Sequence, residues 1–265
     1  MRLFHLRLVG QFARASAQNE LAYRANFWIS LLHSLLGLLT GVLGLVVVFG
    51  QVEDIRGWDL PSTLVLLGVY QILAALRGLF IGPSLEALAG MDGEIWTGNF
   101  DFTLLRPVDA QFLVSVRHWR PFALIDLVLG LGILATAIYK LAAALTFLRL
   151  GTFLLACTSA VIILYALQLA FSALTLWNPG FLFTWVLDGL FQMARYPVGL
   201  YPSWLRMVLT WLVPVGIMTT IPAQALTGAL PAATLIASLM AALVLLLVAS
   251  ALFRLGLRRY ASASS

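Results

Sequence analysis

The chain has 265 residues and a formal net charge of +5; 62% of it is hydrophobic and only 10% is charged. An ordinary soluble domain is about 45–50% apolar and about 25% charged, so a soluble fold of this length could not clothe its surface, and the sequence reads as an all-α, polytopic integral membrane protein. Basic residues flank apolar spans instead of forming a stripe, so no nucleic-acid partner is expected, and the single cysteine, Cys157, excludes an internal disulfide or a multi-cysteine metal site.

Residues 1–24 are expected to form an N-terminal amphipathic helix. Arg7, Gln11, Arg14 and Gln18 recur at helical spacing as a polar stripe, with Leu6, Leu8, Val9, Phe12 and Ala13 elsewhere around the helix, a pattern suited to the cytoplasmic membrane surface. Ala15-Ser16-Ala17 looks like a cleavage site, but His5, Arg7, Gln11 and Arg14 interrupt any apolar core before it, so no cleavage is expected.

Residues 25–265 then form one six-span domain. About 20 apolar residues cross the hydrocarbon of a bilayer, and the stretches 25–52, 61–81, 122–139 and 150–177 meet that length as spans one to four. The apolar stretch that follows is too long for one crossing. Pro222, Gly228 and Pro231 divide it into a fifth span over 203–221 and a sixth over 232–253. Between spans four and five, 181–194 is short and holds Asp188, and it reads as an interfacial or re-entrant elbow rather than a seventh crossing.

Six spans put both termini on one side. Placing that side in the cytoplasm assigns to it Arg2, Arg7, Arg14, Arg24, Arg77, Arg106, Arg117, Arg120, Arg195, Arg206, Arg254, Arg258 and Arg259, and leaves Arg56, Lys140 and Arg149 outside. The excess of inward positive charge selects this orientation.

The polar insert 84–121 between spans two and three carries most of the information. It holds Glu86, Asp92, Glu94, Asp101, Arg106, Asp109, Arg117 and Arg120, with Trp96, Phe100, Phe102, Leu104 and Leu105 among them. Exposed aromatics beside charges are typical of binding surfaces, so the insert is expected to lie in the cytoplasm and to dock a soluble partner through Glu86, Asp92, Glu94, Trp96, Asp101 and Arg106.

Catalytic patterns are absent from the rest of the chain. There is no HExxH, CxxC or nucleophile elbow, and no GxxxxGK[S/T] phosphate loop, so the chain is not expected to be an enzyme or to hold a cofactor. Within the spans, Asp126 lies near the cytoplasmic end of the third, where it pairs with Arg120 or Arg77 or simply sits at the interface. Tyr196-Pro197, Tyr201-Pro202 and Pro214 mark either a bent elbow or a hinge and part of a substrate path, since proline frees carbonyls that must face protein or a wet cavity.

The run Gly98-Asn99-Phe100-Asp101-Phe102-Thr103-Leu104-Leu105-Arg106-Pro107 resembles a signature of ABC-2 type permeases, in particular a viologen-exporter-like or uncharacterised transport-system branch. Arg195-Tyr196-Pro197, Tyr201-Pro202, Val213-Pro214, Ile221-Pro222-Ala223 and the closing Leu257-Arg258-Arg259-Tyr260 extend the resemblance over the whole chain. The resemblance implies a half-transporter in a prokaryotic inner or plasma membrane that exports hydrophobic, amphiphilic or drug-like molecules. It implies two separate ATP-binding subunits that hold ATP and Mg, and a second permease, a different sister chain or a second copy. Residues 86–101 would be the coupling element and residues 1–24 the connecting helix. A secondary transporter or channel without an ATPase partner is the alternative.

Overall fold

A computed structural model describes residues 2–22, 24–90, 92–141, 146–180 and 183–260. Among them the chain is helices and turns, with a lone bridge between Ile55 and Trp58 and no strand. That is the outcome a bilayer dictates, because a helix satisfies its own backbone hydrogen bonds where water cannot.

Helix α1 (Arg2–Ala22) precedes the first span, α2 (Arg24–Phe49). A tight loop held by the Ile55–Trp58 bridge and by Asp54 Oδ1, which accepts from Gly57 N–H at 3.1 Å, leads to α3. Helix α3 (Leu60–Glu86) starts with Asp59 as its cap, whose carboxylate accepts from Ser62 N–H at 2.9 Å, and with Pro61 in the first turn. The insert contains two short helices, α4 (Phe100–Leu104) and α5 (Ala110–Val116). Helices α6 (Leu124–Leu141) and α7 (Phe147–Leu174) follow, then α8 (Phe183–Met193), α9 (Ser203–Leu212), α10 (Val215–Thr227) and α11 (Ala232–Arg259).

Among the described residues, five helices are long and apolar enough to cross a bilayer: α2, α3, α6, α7 and α11. The fifth expected span is not continuous. Helices α9 and α10 meet at 87°, broken at Val213-Pro214, where the missing N–H and the ring of proline stop the helix. The second span also runs deeper than its apolar stretch, to Glu86 instead of residue 81.

The bundle is built on two close helix pairs, α3 with α6 and α7 with α11, joined by α10. Glycine makes the first pair possible. A Cβ on Gly68 would lie 3.0 Å from the backbone N of Leu134, and one on Gly130 would lie 3.0 Å from that of Ile72. Small residues at such crossings let two backbones approach and gain dispersion contacts, which replace the hydrophobic drive that lipid does not supply. Two polar contacts tie helices together inside the bundle: Gln71 Nε2 donates to Asp126 at 3.1 Å between α3 and α6, and Thr219 Oγ1 donates to the Ala194 carbonyl at 2.7 Å between α10 and the end of α8.

Contacts fix which elements share an end. The insert end holds α1, which meets it where Ser16 Oγ accepts from Trp119 N–H at 3.2 Å, and the close of α11, where Tyr260 packs edge-on to Phe100 at 5.2 Å. Both described extremities of the chain therefore lie beside the insert. The opposite end holds the 50–59 loop and the turn at Gly228, which packs against Arg149. Residues 188–199 climb between the two ends, since Asp188 meets Arg77 deep in α3 whereas the Gly199 carbonyl accepts from Arg56. The stretch from α8 through α10 is thus one discontinuous crossing. It also moves two arginines assigned to the cytoplasmic side by sequence. Arg195 stacks over Tyr70 at 5.3 Å in mid-bundle, and Arg206 donates to the Gly199 carbonyl at 3.4 Å near Arg56.

Candidate functional site

The insert grows directly out of α3, and a proline makes the joint. Pro83 has no N–H to give to the carbonyl four residues back, and its ring crowds that carbonyl, so the helix widens to a π-turn over Arg77–Ile81. The carbonyl that Pro83 leaves open, that of Leu79, accepts instead from Arg120 N–H at 2.8 Å. One turn on, Ser84 Oγ donates to the His118 carbonyl at 2.8 Å and accepts from His118 N–H at 2.9 Å. Residues 118–120 are thereby stitched along the last two turns of α3.

Inside, the insert is braced by charge. Glu94 pairs with Arg117, which also donates to Thr103 Oγ1 at 2.6 Å, and His118 Nε2 lies 3.5 Å from the second Glu94 oxygen. Burial opposes the charged form of Glu94, but the hydrogen bond with His118 and the Arg117 guanidinium outweigh it and hold the carboxyl below the usual glutamate range. Ile95 and Phe100 are buried beneath this brace. Asp101 is half-buried beside Tyr260. Burial first, and the Asp101 carboxylate second, push the Tyr260 hydroxyl up to about 12.

The outward face is therefore narrower than the sequence suggests. Trp96, at 53% exposure, Asp92, Phe102, Leu105 and Arg106 are exposed, and Trp96 lies beside Gly180 in the turn between α7 and α8. Glu94, Glu86 and Phe100 point inward, so two of the six residues expected to dock a partner, Glu86 and Glu94, are engaged in ion pairs within the chain. Helix α1 braces the other flank: Glu20 Oε2 accepts from Phe122 N–H at 3.1 Å, and Arg7, Gln11, Arg14 and Gln18 all face outward as the polar stripe predicts.

Above the insert lies a polar cluster that sequence reasoning did not assemble. Arg77 pairs with Glu86 at 2.8 Å and with Asp188 of α8 at 2.5 Å, while its Nε donates to Gln168 Oε1 of α7 at 3.2 Å. The guanidinium also stacks over Phe191 at 5.5 Å. A cavity of about 310 Å³ opens here, lined by Tyr70, Arg77, Glu86, Arg120, Asp188 and Phe191. Its signal was present in the sequence: Arg77 and Asp188 are lone opposite charges in two apolar stretches, and each needs a partner.

Other expectations shift. Asp126 takes its hydrogen bond from Gln71, and no ion pair forms between Asp126 and Arg120, whose side chain borders the cavity instead. The proline-rich stretch folds as an elbow. Tyr201 Oη donates to the Met193 carbonyl at 2.9 Å, Pro197 and Pro202 precede short helical turns, Tyr196 packs against Gly44 of α2, and buried Pro214 sits at the break between α9 and α10.

Compared with known families, residues 35–264 match the model of the ABC-2 family transporter protein. No curated protein and no solved structure matches.

Proposed function

Because this chain belongs to the ABC-2 transporter family, we propose that it is the permease half of an ATP-driven exporter whose ATP-binding subunits dock on the exposed face of the insert. The observation that carries this reading is the joint at Pro83. The insert is braced internally by Glu94 and Arg117 and stitched to α3 through Leu79 and Ser84, as a lever must be. ATP and Mg bind in the partner subunits, and closure of those subunits presses on Trp96 and its neighbours.

The push travels along α3 to Arg77, which holds α7 through Gln168 and α8 through Asp188. Movement of Glu86 relative to Asp188 then shifts the elbow at Pro197, Pro202 and Pro214 against the bundle, and a cavity shared with a second permease changes the side to which it opens. That second permease is a sister chain rather than another copy. Both termini and the insert face the cytoplasm, since the insert end carries Arg7, Arg14, Arg106, Arg117, Arg120, Arg254, Arg258 and Arg259. The cargo is hydrophobic or amphiphilic; the cavity sets Tyr70 and Phe191 beside the charges of Arg77, Glu86, Arg120 and Asp188, a mixed lining that suits an amphiphile.

The test is co-expression with a candidate ATP-binding subunit. The two proteins should purify together, and Trp96→Ala should abolish ATPase activity that depends on the permease while leaving membrane insertion intact. Wild-type activity in Trp96→Ala would overturn the docking assignment.

A further inference from the structure

Helix α11 carries a second feature at the insert end. An open groove of about 510 Å³ runs along it, lined by Leu246, Leu247 and Leu255 and closed toward its lower end by Arg254 and Arg258. That volume is in the about 300–1,000 Å³ range of small-molecule sites. The polar part of its floor is already satisfied, since Gln111 Nε2 of α5 donates to Ser250 Oγ at 3.0 Å.

The two guanidiniums stand one helical turn apart on the same face, where like charges repel. Both are exposed, and among the described residues neither has a carboxylate within ion-pair distance. Asp109 borders a neighbouring cavity that Arg254 also lines, but its Oδ1 caps α5 by accepting from Phe112 N–H at 2.8 Å. Arg258 has a partial local reason to be there, since cations suit the last turn of a helix. Arg254 lies a turn further in and has none. Above the pair, Leu243, Val244, Leu247 and Val248 continue the exposed apolar face of α11 into the lipid region.

We infer that this groove binds one anionic phospholipid, its acyl chain along Leu246, Leu247 and Leu255 and its phosphate between Arg254 and Arg258. The charge pattern is that of basic pockets at the cytoplasmic membrane boundary, which hold anionic headgroups. Because Gln111, which lines the groove, belongs to the insert and bonds Ser250 of α11, the bound lipid clamps the insert to α11. The inference does not depend on ATP-driven export.

The test uses the full chain purified in neutral detergent, with phosphatidylglycerol, phosphatidylcholine or inorganic phosphate added. Retained lipid is counted by native mass spectrometry, and thermal unfolding is followed in parallel. Phosphatidylglycerol should be retained and should raise the unfolding temperature, whereas phosphatidylcholine and phosphate should do neither. The double variant R254Q/R258Q should weaken phosphatidylglycerol binding by about thirtyfold, from about fivefold per guanidinium at an anionic lipid surface. R7Q/R14Q, which removes exposed charge from α1 at the same end, should bind as the wild type does. Equal binding by R254Q/R258Q, an equal loss in R7Q/R14Q, or an equal response to free phosphate would each overturn the inference. So would a change of oligomeric state in R254Q/R258Q without loss of lipid, which would mark the groove as a protein contact.

Discussion

Glu94→Ala should loosen the insert without touching its outward face. In the native insert the Glu94 and Arg117 side chains are 17% and 13% exposed, so the pair is largely removed from water. Removing one partner of a buried pair costs about 3–5 kcal/mol, because the other charge is left without compensation. The residual exposure, and the Thr103 hydroxyl that Arg117 keeps, place this case near the lower end, about 3 kcal/mol. At about 1.4 kcal/mol per tenfold, amides over 84–121 should exchange hydrogen roughly a hundredfold faster, while those of α6, α7 and α11 stay protected. Glu94→Ala/Arg117→Met removes both charges and should recover much of that loss, since an apolar pair replaces a buried ion pair at little cost. Unchanged exchange over 84–121 in Glu94→Ala, or a double variant worse than the single, would refute the bracing role.

The same carboxyl predicts an acid response. Its folded-state pKa lies below the unfolded value of about 4.3. The stabilisation is therefore present above that value and is lost as pH falls through the folded one. Proteolysis of the insert should accelerate over that window in the wild type and show no such step in Glu94→Gln. In the bundle, Gly68→Val must force α3 away from the Leu134 backbone and should cost about 1–3 kcal/mol of stability by thermal unfolding in detergent. Gly132→Ala, where a Cβ meets nothing within 4 Å, should be neutral. Asp188→Asn should free α8 from Arg77, so a disulfide engineered between α3 and α8 should form more slowly than in the wild type; an unchanged rate would remove Arg77 as the link between the insert and the elbow.

Membrane class and helix positions were legible because they rest on composition and on runs of apolar residues, which hydrocarbon thickness converts directly into spans. The polar stripe of α1 was legible for the same kind of reason: a period of 3.6 fixes one face, and Arg7, Gln11, Arg14 and Gln18 do line it. Direction of side chains in the insert was not. Glu94 and Phe100 look like Asp92 and Phe102 in sequence, and only the return of Arg117 and Tyr260, far along the chain, turns the first pair inward. The extension of α3 to Glu86 was hidden by its polar residues, which are sheltered by Arg77 and Gln168 rather than by water. Pro214 was visible as a break, but the 87° turn it permits, and the depth at which Arg195 and Arg206 come to rest, depend on α2, α3 and the 50–59 loop.

The docking claim is tested most directly by placing a photo-reactive amino acid at position 96, in membranes that contain the ATP-binding subunit, and identifying what it captures. The account predicts a covalent adduct with that subunit, lost when the ATP-binding protein is omitted. Capture of lipid alone, or modification of position 96 by a membrane-impermeant reagent added outside intact cells, would contradict it.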